Sequence, residues 1–418
     1  MKRLWVDLTT SYQDVGRTAH GTLRVERAIV GALAERGDPR IGFVVFDKAM
    51  GRFQALSAQE AARIVTSPTR SEPGRDLVPI WKRRIWGLQS RLRSLASPPK
   101  RPGPVREAPF AAGDTVLFVG EHSRQDFGHL VGLKQTRNLI FVFLFYDLLR
   151  VLDDDDPRLR LCPSCDLPTT DFMVREAAMF LAISRFSADI LQGHVMRRAA
   201  PPRPIVPIRL SGYPPAASRP AQPVPDLLPG GFVLSVGDVV HRKNHQLLVR
   251  VWANLAAKGE RVPTLAIVGR IDLEGAALVR SVGQDPRLRD LIRFMPNAND
   301  AALLWLYCNC RYTAFPSLLE GFGLPVAESL SLGKVCLASS AASIPEAGQG
   351  AAITLDPADA AAWEAEVIRL NDDAALAAEE VRMACRFRPV TWSDTAEEII
   401  AVLTHHGHLS GNAFCSIP

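Results

Sequence analysis

Short apolar runs alternate with amphipathic segments along most of this chain, and no other feature restricts its fold as strongly. In the first half, runs rich in β-branched and aromatic residues lie at 4–8, 41–46, 115–119, 138–146 and 180–183. A helical pattern over 23–36 follows the first run and ends at Gly37. Continuously apolar strands are typical of parallel sheets covered by helices on both faces. The first half is therefore predicted to form one doubly wound α/β domain.

A second series of the same kind follows a proline-rich stretch at 200–229. Its predicted strands lie at 232–236, 264–268, 291–295, 312–315, 335–338 and 352–355, and its predicted helices at 244–258, 301–307 and 325–332. Proline cannot lie inside helices or central strands, so the proline-rich stretch is predicted to connect two domains. We expect domains at 1–225 and 226–390, and a C-terminal helix and tail at 391–418 that packs back on the first domain.

Composition restricts the function without defining it. The 418 residues are 47% hydrophobic, enough for two cores, and a net charge of +5 does not require a nucleic-acid partner. The seven cysteines form no regular framework, and the pair Cys162 and Cys165 lacks a second ligand pair, so we expect a reducing, cytoplasmic location and no metal site. The longest apolar run, 139–146, is too short to span a membrane.

The strongest chemical motif follows the predicted strand at 312–315 and runs from Phe315 to Glu328. Its glycines permit close backbone approach, and Pro325 suits the first turn of a helix, whose free amides attract anions. Glu320 lies on the loop and Glu328 one turn inside the helix, where both carboxylates can accept hydrogen bonds from sugar and ribose hydroxyls. The alternative is that Glu320 is a surface residue and Glu328 only complements the helix dipole.

A second motif, His241-Arg242-Lys243-Asn244, follows the predicted strand at 232–236. Asn244 is predicted to cap the next helix through its side chain. Cations at a helix start oppose its dipole unless an anion binds between them, so Arg242 and Lys243 are candidate anion-binding residues. The alternative is that both are solvent-exposed.

These stretches resemble the retaining GT-B glycosyltransferases of family 4, over nearly all of residues 230–370. The resemblance also includes Val236-Gly237 and Ser343-Ile344-Pro345-Glu346. It implies an α/β GT-B fold, in which two doubly wound Rossmann-like domains face a central cleft lined by the carboxyl ends of both sheets.

The same resemblance implies roles for individual residues around the donor. Arg242 and Lys243 would bind the diphosphate, Glu328 the ribose, and the segment Phe294 to Pro296, with Met295 at its centre, the base. Glu320 would hold the sugar and phosphate together with the loop amides, which belong to Gly321, Phe322, Gly323 and Leu324.

The first half matches the family at three short stretches, which begin at Gly21, Tyr146 and Ala182. Gly21 is assigned to donor binding. Tyr146 and Asp147 are assigned to the catalytic site, where they would face the cleft from the end of a strand. Family members often carry a histidine at the position of Tyr146.

The resemblance implies a retaining hexosyltransferase that needs no metal cofactor, because fixed cations and amides can stabilise the leaving phosphate. A nucleotide-diphosphate sugar would be the co-substrate and a glycan or lipid-linked molecule the acceptor, in polysaccharide or glycolipid assembly, with mannose as a candidate sugar. Two alternative functions stay open. One is a catalytically silent GT-B scaffold at the membrane, which Tyr146 supports. The other is a nicotinamide-dependent oxidoreductase, but this sequence has no G-x-G-x-x-G loop after an opening strand, as such an enzyme would need.

A basic segment precedes the third predicted strand. Between Arg70 and Glu107 there are ten Lys or Arg and three acidic residues, and apolar residues recur at helical spacing over 80–95. An apolar stripe with basic flanks is typical of a helix that lies on an anionic membrane. Residues 80–95 are therefore a candidate for peripheral attachment to the inner membrane face, with an ordinary packed helix as the alternative.

Overall fold

The computed structural model describes residues 2–15, 21–47, 51–67, 107–121, 127–146, 167–213, 221–296 and 298–410. Two parallel sheets dominate these residues, and each is covered by helices. The basic segment 80–95 and the cysteine pair at 162 and 165 lie outside the described residues, so the predictions made for them stay predictions. Within the described part, no helix is long and apolar enough to cross a bilayer.

The first sheet has seven strands in the order β3-β2-β1-β4-β5-β6-β7. They are β1 Leu4–Asp7, β2 Ile41–Asp47, β3 Arg52–Leu56, β4 Thr115–Phe118, β5 Ile140–Phe145, β6 Met179–Ala182 and β7 Ile205–Pro207. All neighbours are parallel except β2 and β3, which are antiparallel. The strand order reverses between β1 and β4, which is where open α/β sheets bind ligands.

The second sheet has six parallel strands in the order β10-β9-β8-β11-β12-β13. They are β8 Phe232–Val236, β9 Thr264–Val268, β10 Ile292–Met295, β11 Thr313–Phe315, β12 Cys336–Ser339 and β13 Ile353–Leu355. Here the order reverses between β8 and β11. The motifs at 241–244 and 315–328 follow these two strands, so both leave the same edge of the sheet.

Helices alternate with the strands and cover the sheets. Those before β8 are α1 Thr9–Gln13, α2 Gly21–Glu35, α3 Ala58–Val65, α4 Phe127–Arg137, α5 Leu167–Glu176 and α6 Arg185–Arg197. Those after it are α7 His245–Ala257, α8 Leu273–Gln284, α9 Asp300–Asn309, α10 Leu324–Ser331, α11 Ile344–Gly348, α12 Ala360–Asn371, α13 Asp373–Arg386 and α14 Trp392–His405. The predicted fold, two doubly wound Rossmann-like domains in the GT-B arrangement, is confirmed.

The proline-rich stretch at 200–229 contains a strand that the sequence pattern did not predict. Strand β7 pairs with β6 at the edge of the first sheet and includes Pro207. An edge strand leaves one row of backbone groups unpaired, so a residue without an N–H is tolerated there. The antiparallel edge strand β3 was also missed, because its short run Arg52-Phe53-Gln54-Ala55-Leu56 is only partly apolar.

The last helix of the described chain lies against the first sheet's helices. Arg36, which follows α2, pairs with Glu397 of α14 at 2.8 Å, and the Thr395 hydroxyl donates to the carbonyl of Arg209 at 2.9 Å. The Thr115 hydroxyl donates to the carbonyl of His408 at 2.5 Å. These contacts tie residues 392–408 to the domain in which the chain begins.

Candidate active site

A cavity of about 540 Å³ lies between the carboxyl ends of the two sheets. It collects most residues that the sequence motifs singled out. Gly21, Tyr146, Arg242, Lys243, Met295, Glu320, Gly321, Phe322, Gly323 and Leu324 all line it. Of the remaining two, Glu328 is buried beside the cavity and Asp147 lies outside the described residues.

Glu320 is the centre of a buried charge cluster on one wall of this cleft. Its carboxylate is 2.6 Å from Lys243 Nζ and 3.0 Å from an Arg242 guanidinium nitrogen, and it accepts a hydrogen bond from the Ser317 hydroxyl. Lys243 also lies 4.9 Å from the centroid of the Phe315 ring, a cation–π distance. The carboxylate of Glu320 therefore lies between the two cations that precede helix α7. The alternative that both cations are solvent-exposed is wrong for Lys243, which is 8% exposed.

Burial and charge act in opposite directions on this cluster. Burial raises the pKa of Glu320, but Lys243 and Arg242 outweigh it and hold that pKa below its usual value. Burial also lowers the pKa of Lys243, although Glu320 favours its charged form. With two cations and one carboxylate, the cluster keeps an excess positive charge next to the cleft. Such an excess suits a ligand that carries phosphate.

Asn244 directly precedes helix α7 but does not cap it through its side chain, contrary to prediction. Its backbone is left-handed, with φ 55°, and it ends the short turn that carries Arg242 and Lys243. Its side-chain amide instead donates to the carbonyls of Pro316 and Pro357, at 3.2 and 3.1 Å. The residue therefore ties the two motif loops together, and this role depends on contacts distant in sequence.

The glycine loop after β11 ends at Gly323, whose φ of 109° favours glycine, and α10 begins at Leu324. Within the part of the chain that the structure describes, the backbone amides of Gly321, Phe322 and Gly323 donate no hydrogen bond. Free amides that precede a helix start form a suitable environment for an anion.

Glu328 is 2% exposed and both of its oxygens have protein partners. One accepts from Arg24 of α2, and the other accepts from the Tyr307 hydroxyl at 2.8 Å. Burial, followed by the charge on Glu328, raises the pKa of Tyr307 well above its usual value, so its phenol is a neutral donor. Arg24 reaches Glu328 across the cleft, so this ion pair joins the two domains. The role in ribose binding that the resemblance implies stays a prediction.

Tyr146 lines the cleft from the end of β5, and its hydroxyl donates to the carbonyl of Val119. Burial, followed by the nearby charge of Glu26, raises the pKa of Tyr146 well above its usual value. Glu26 is fully buried next to Asp7, and burial raises the pKa of Glu26 well above its usual value too. The phenol therefore stays neutral and ties the end of β5 to Val119, which follows β4. The catalytic role that the resemblance implies for Tyr146 stays a prediction.

Three polar residues contact the other domain or the glycine loop although the sequence predicted no role for them. Arg24, Ser184 and Ser343 belong to stretches that carry the family resemblance, yet their contacts are to the other domain or to the glycine loop. The spacing of these residues in the sequence does not predict such contacts, because most of the partners come together only when the two domains meet.

His245 follows the charge cluster directly and gives a prediction about pH. Burial, followed by the charge of Lys243, lowers the pKa of His245 from 6.5 to about 3. Below pH 6.5 the unfolded chain binds a proton that the folded chain does not, so stability is lost as the pH falls, by up to about 1.4 kcal/mol per pH unit. We expect urea unfolding to show a larger loss between pH 7 and pH 5 in the wild type than in His245→Gln.

His405→Gln is the matched control, because His405 lies exposed at the end of α14. This variant should lose as much stability between the two pH values as the wild type. Equal losses in the wild type and His245→Gln would contradict the assignment of His245 as a neutral buried group.

The family model described as glycosyl transferases group 1 matches residues 231–373. These residues contain the second sheet and both motif loops of the cleft. The resemblance predicted from the sequence is thereby confirmed: residues 231–373 are similar to the glycosyl transferases group 1 family, and they lie within a GT-B fold.

Individual proteins resemble the chain to different extents. The O-antigen chain mannosyltransferase B of Escherichia coli is 28% identical over 171 residues, which cover 41% of this chain and 45% of that protein. The chain therefore spans less than half the length of this relative.

Two solved structures resemble the chain over almost its whole length. Sucrose-phosphate synthase from Thermosynechococcus elongatus superposes with a TM-score of 0.59 at 16% identity, covering 97% of this chain and 99% of the other. HepE from Anabaena, in complex with UDP and glucose, gives 0.57 at 14% identity, covering 97% and 100%. At this identity the likeness concerns the fold.

Proposed function

We propose that the chain transfers a sugar from a nucleotide-diphosphate donor, bound in the interdomain cleft, to a glycan or lipid-linked acceptor with retention of anomeric configuration. The observation that carries the proposal is the cluster of Glu320, Lys243 and Arg242 beside three backbone amides that donate no hydrogen bond to any described residue. Paired cations and free amides next to a buried carboxylate suit a group with a negative phosphate on one side and hydroxyls on the other.

In the proposed reaction the bond between the anomeric carbon and the diphosphate oxygen breaks, and a bond to the acceptor hydroxyl oxygen forms on the same face. The acceptor proton passes to the departing phosphate oxygen. Arg242, Lys243 and the loop amides stabilise the charge that develops on the diphosphate, so no metal ion is needed. Glu320 holds Lys243 in place and accepts hydrogen bonds from the sugar.

The similarity to an O-antigen mannosyltransferase makes mannose the first sugar to test, in the assembly of a polysaccharide or glycolipid. An acceptor at a membrane fits a peripheral location on the inner face, for which residues 80–95 remain the candidate contact.

A panel of nucleotide sugars tests the proposal through thermal stability. A ligand that binds only the folded state stabilises it by about 2.7 kcal/mol at one hundred times its dissociation constant. We expect one nucleotide-diphosphate sugar to raise the melting temperature by several degrees, with and without excess chelator.

The rival functions give different outcomes in the same panel. A shift with NAD or NADP alone would favour an oxidoreductase, and no shift with any nucleotide would favour a silent scaffold. A shift that chelator abolishes and magnesium restores would contradict the metal-independent mechanism. The Lys243→Ala variant is the comparison for each outcome, because the donor should no longer raise its melting temperature.

A further inference from the structure

Three serine hydroxyls hold consecutive carbonyls of the glycine loop. The Ser343 hydroxyl lies 2.8 Å from the Glu320 carbonyl oxygen and 2.9 Å from that of Phe322, and its single proton is shared between them. The Gly321 carbonyl between them accepts from Ser184 at 2.5 Å and from Ser187 at 3.0 Å. The Ser187 hydroxyl also lies 3.0 Å from the Tyr146 carbonyl oxygen, so its single proton is shared between these two acceptors. Every carbonyl from 320 to 322 therefore has a hydroxyl donor.

We propose that Ser184, Ser187 and Ser343 are positioning residues that aim the amides of the glycine loop at the donor phosphate. This inference rests on the proposed function. The peptide group is planar and trans, so its N–H points away from its C=O. Fixing the carbonyls of Glu320, Gly321 and Phe322 therefore fixes the directions of the next three amides, which are the amides that donate no hydrogen bond to any described residue.

The loop needs such contacts because glycine has little conformational preference of its own. Gly321 and Gly323 permit several backbone conformations, and a rotated peptide would turn an N–H away from the phosphate and a C=O towards it. A carbonyl oxygen repels an anion, so the hydroxyl contacts select the one loop conformation that attracts phosphate.

Two of the three serines belong to the other domain. Ser184 and Ser187 lie at the start of α6 in the first domain, where they are 0% and 1% exposed. The contact is reciprocal, since the Glu346 carboxylate of the second domain accepts from the backbone amide of Arg185 at 3.1 and 2.9 Å. The direction of the Phe322 amide thus depends on how the domains meet, which couples domain closure to donor binding.

Ser187→Ala is the first test, because Ser184 also caps α6 by accepting from the Ser187 amide. Apart from its contact with Gly321, the Ser187 hydroxyl contacts only the Tyr146 carbonyl among the described residues. Calorimetric titration of the full chain with UDP, GDP and their monophosphates identifies the diphosphate that the wild type binds. We expect Ser187→Ala to lose about tenfold in affinity for that diphosphate, equivalent to one hydrogen bond, and less than twofold for the monophosphate. Ser187→Thr, which keeps the hydroxyl, should recover most of the loss.

Ser184→Gly separates capping from positioning, because glycine is tolerated as an N-cap with little loss of stability but has no hydroxyl to donate to Gly321. It should fold and still lose diphosphate affinity. The control is Ser329→Ala, whose buried hydroxyl contacts Thr313 and the carbonyl of Lys334 away from the loop. Its ratio of diphosphate to monophosphate affinity should equal that of the wild type.

Three outcomes would overturn the inference. Unchanged diphosphate affinity in Ser187→Ala, or an equal loss for both nucleotides, would show that the serine contacts only support the domain interface. A wild type that binds neither UDP nor GDP, and no other nucleoside diphosphate of the donor panel, would remove the proposed function, and the inference with it. The first two results leave the proposed function intact, so the two failures are distinguishable.

Discussion

Replacing Lys243 by alanine should lower kcat by about 100-fold or more, because a fixed cation next to the leaving phosphate would be lost. The structure adds a cost in stability, since Arg242, the more exposed of the two cations, would be the only positive charge that still contacts Glu320. Breaking a buried pair typically costs about 3 kcal/mol. The variant should therefore be both slow and less resistant to urea.

The double variant Lys243→Met with Glu320→Gln separates these two effects. Neutral side chains of similar size leave no unpaired buried carboxylate, so the free energy of unfolding should return towards the wild-type value. Activity should stay as low as in Lys243→Ala. Steady-state kinetics and urea unfolding on the same preparations measure both quantities.

Lys258→Ala provides a matched control in the same domain. Lys258 pairs with Glu364 at 2.5 Å, but its side chain is 58% exposed. An exposed pair contributes at most about 1 kcal/mol, and this one is remote from the cleft. Near-normal kcat in purified, folded Lys243→Ala would remove Lys243 from the mechanism.

Replacing Glu328 by alanine should have the largest effect on stability. It leaves the buried Tyr307 hydroxyl without its acceptor and Arg24, whose side chain is 16% exposed, without its partner. We expect a loss of about 3–5 kcal/mol and a melting temperature lower by about 10 °C. Differential scanning calorimetry without nucleotide isolates this effect from any role in donor binding.

A double-mutant cycle with Arg24→Met and Glu328→Gln measures the ion pair itself. Since the pair is buried and joins two domains, its coupling energy should exceed about 1 kcal/mol. The pair of Arg36 and Glu397 also joins distant parts of the chain, but its side chains are 33% and 61% exposed. Its coupling should be about 0.5 kcal/mol or less. Equal couplings for both pairs would contradict the structural role of Glu328.

The local pattern of the chain predicted most elements that form the two sheets. Strands β8 Phe232–Val236 and β9 Thr264–Val268 begin and end where the apolar runs do. Buried parallel strands need continuous apolar runs, so burial leaves a direct trace in the sequence. Edge strands β3 and β7 are only partly buried, and the trace is correspondingly weak.

The two motif loops, at 241–244 and 315–328, were also predicted from the sequence, because each is one continuous segment of chain. Glu320 follows β11 and Lys243 follows β8, and neighbouring parallel strands bring their carboxyl ends together. That proximity could be predicted. The direct pairing of Glu320 with both cations could not, because it depends on loop conformations that local residue preferences do not determine.

Contacts between the domains were decided by tertiary structure alone. More than one hundred residues separate Arg24 from Glu328, and Ser184 from Gly321. In an isolated domain the polar groups of these residues would lack these partners. These contacts become important for stability when the two surfaces meet and water is excluded, because a buried polar group then needs a protein partner. The local sequence pattern was therefore enough to predict the two sheets and the loops at their edges. The partners of the polar groups around the cleft depend on how one domain packs on the other.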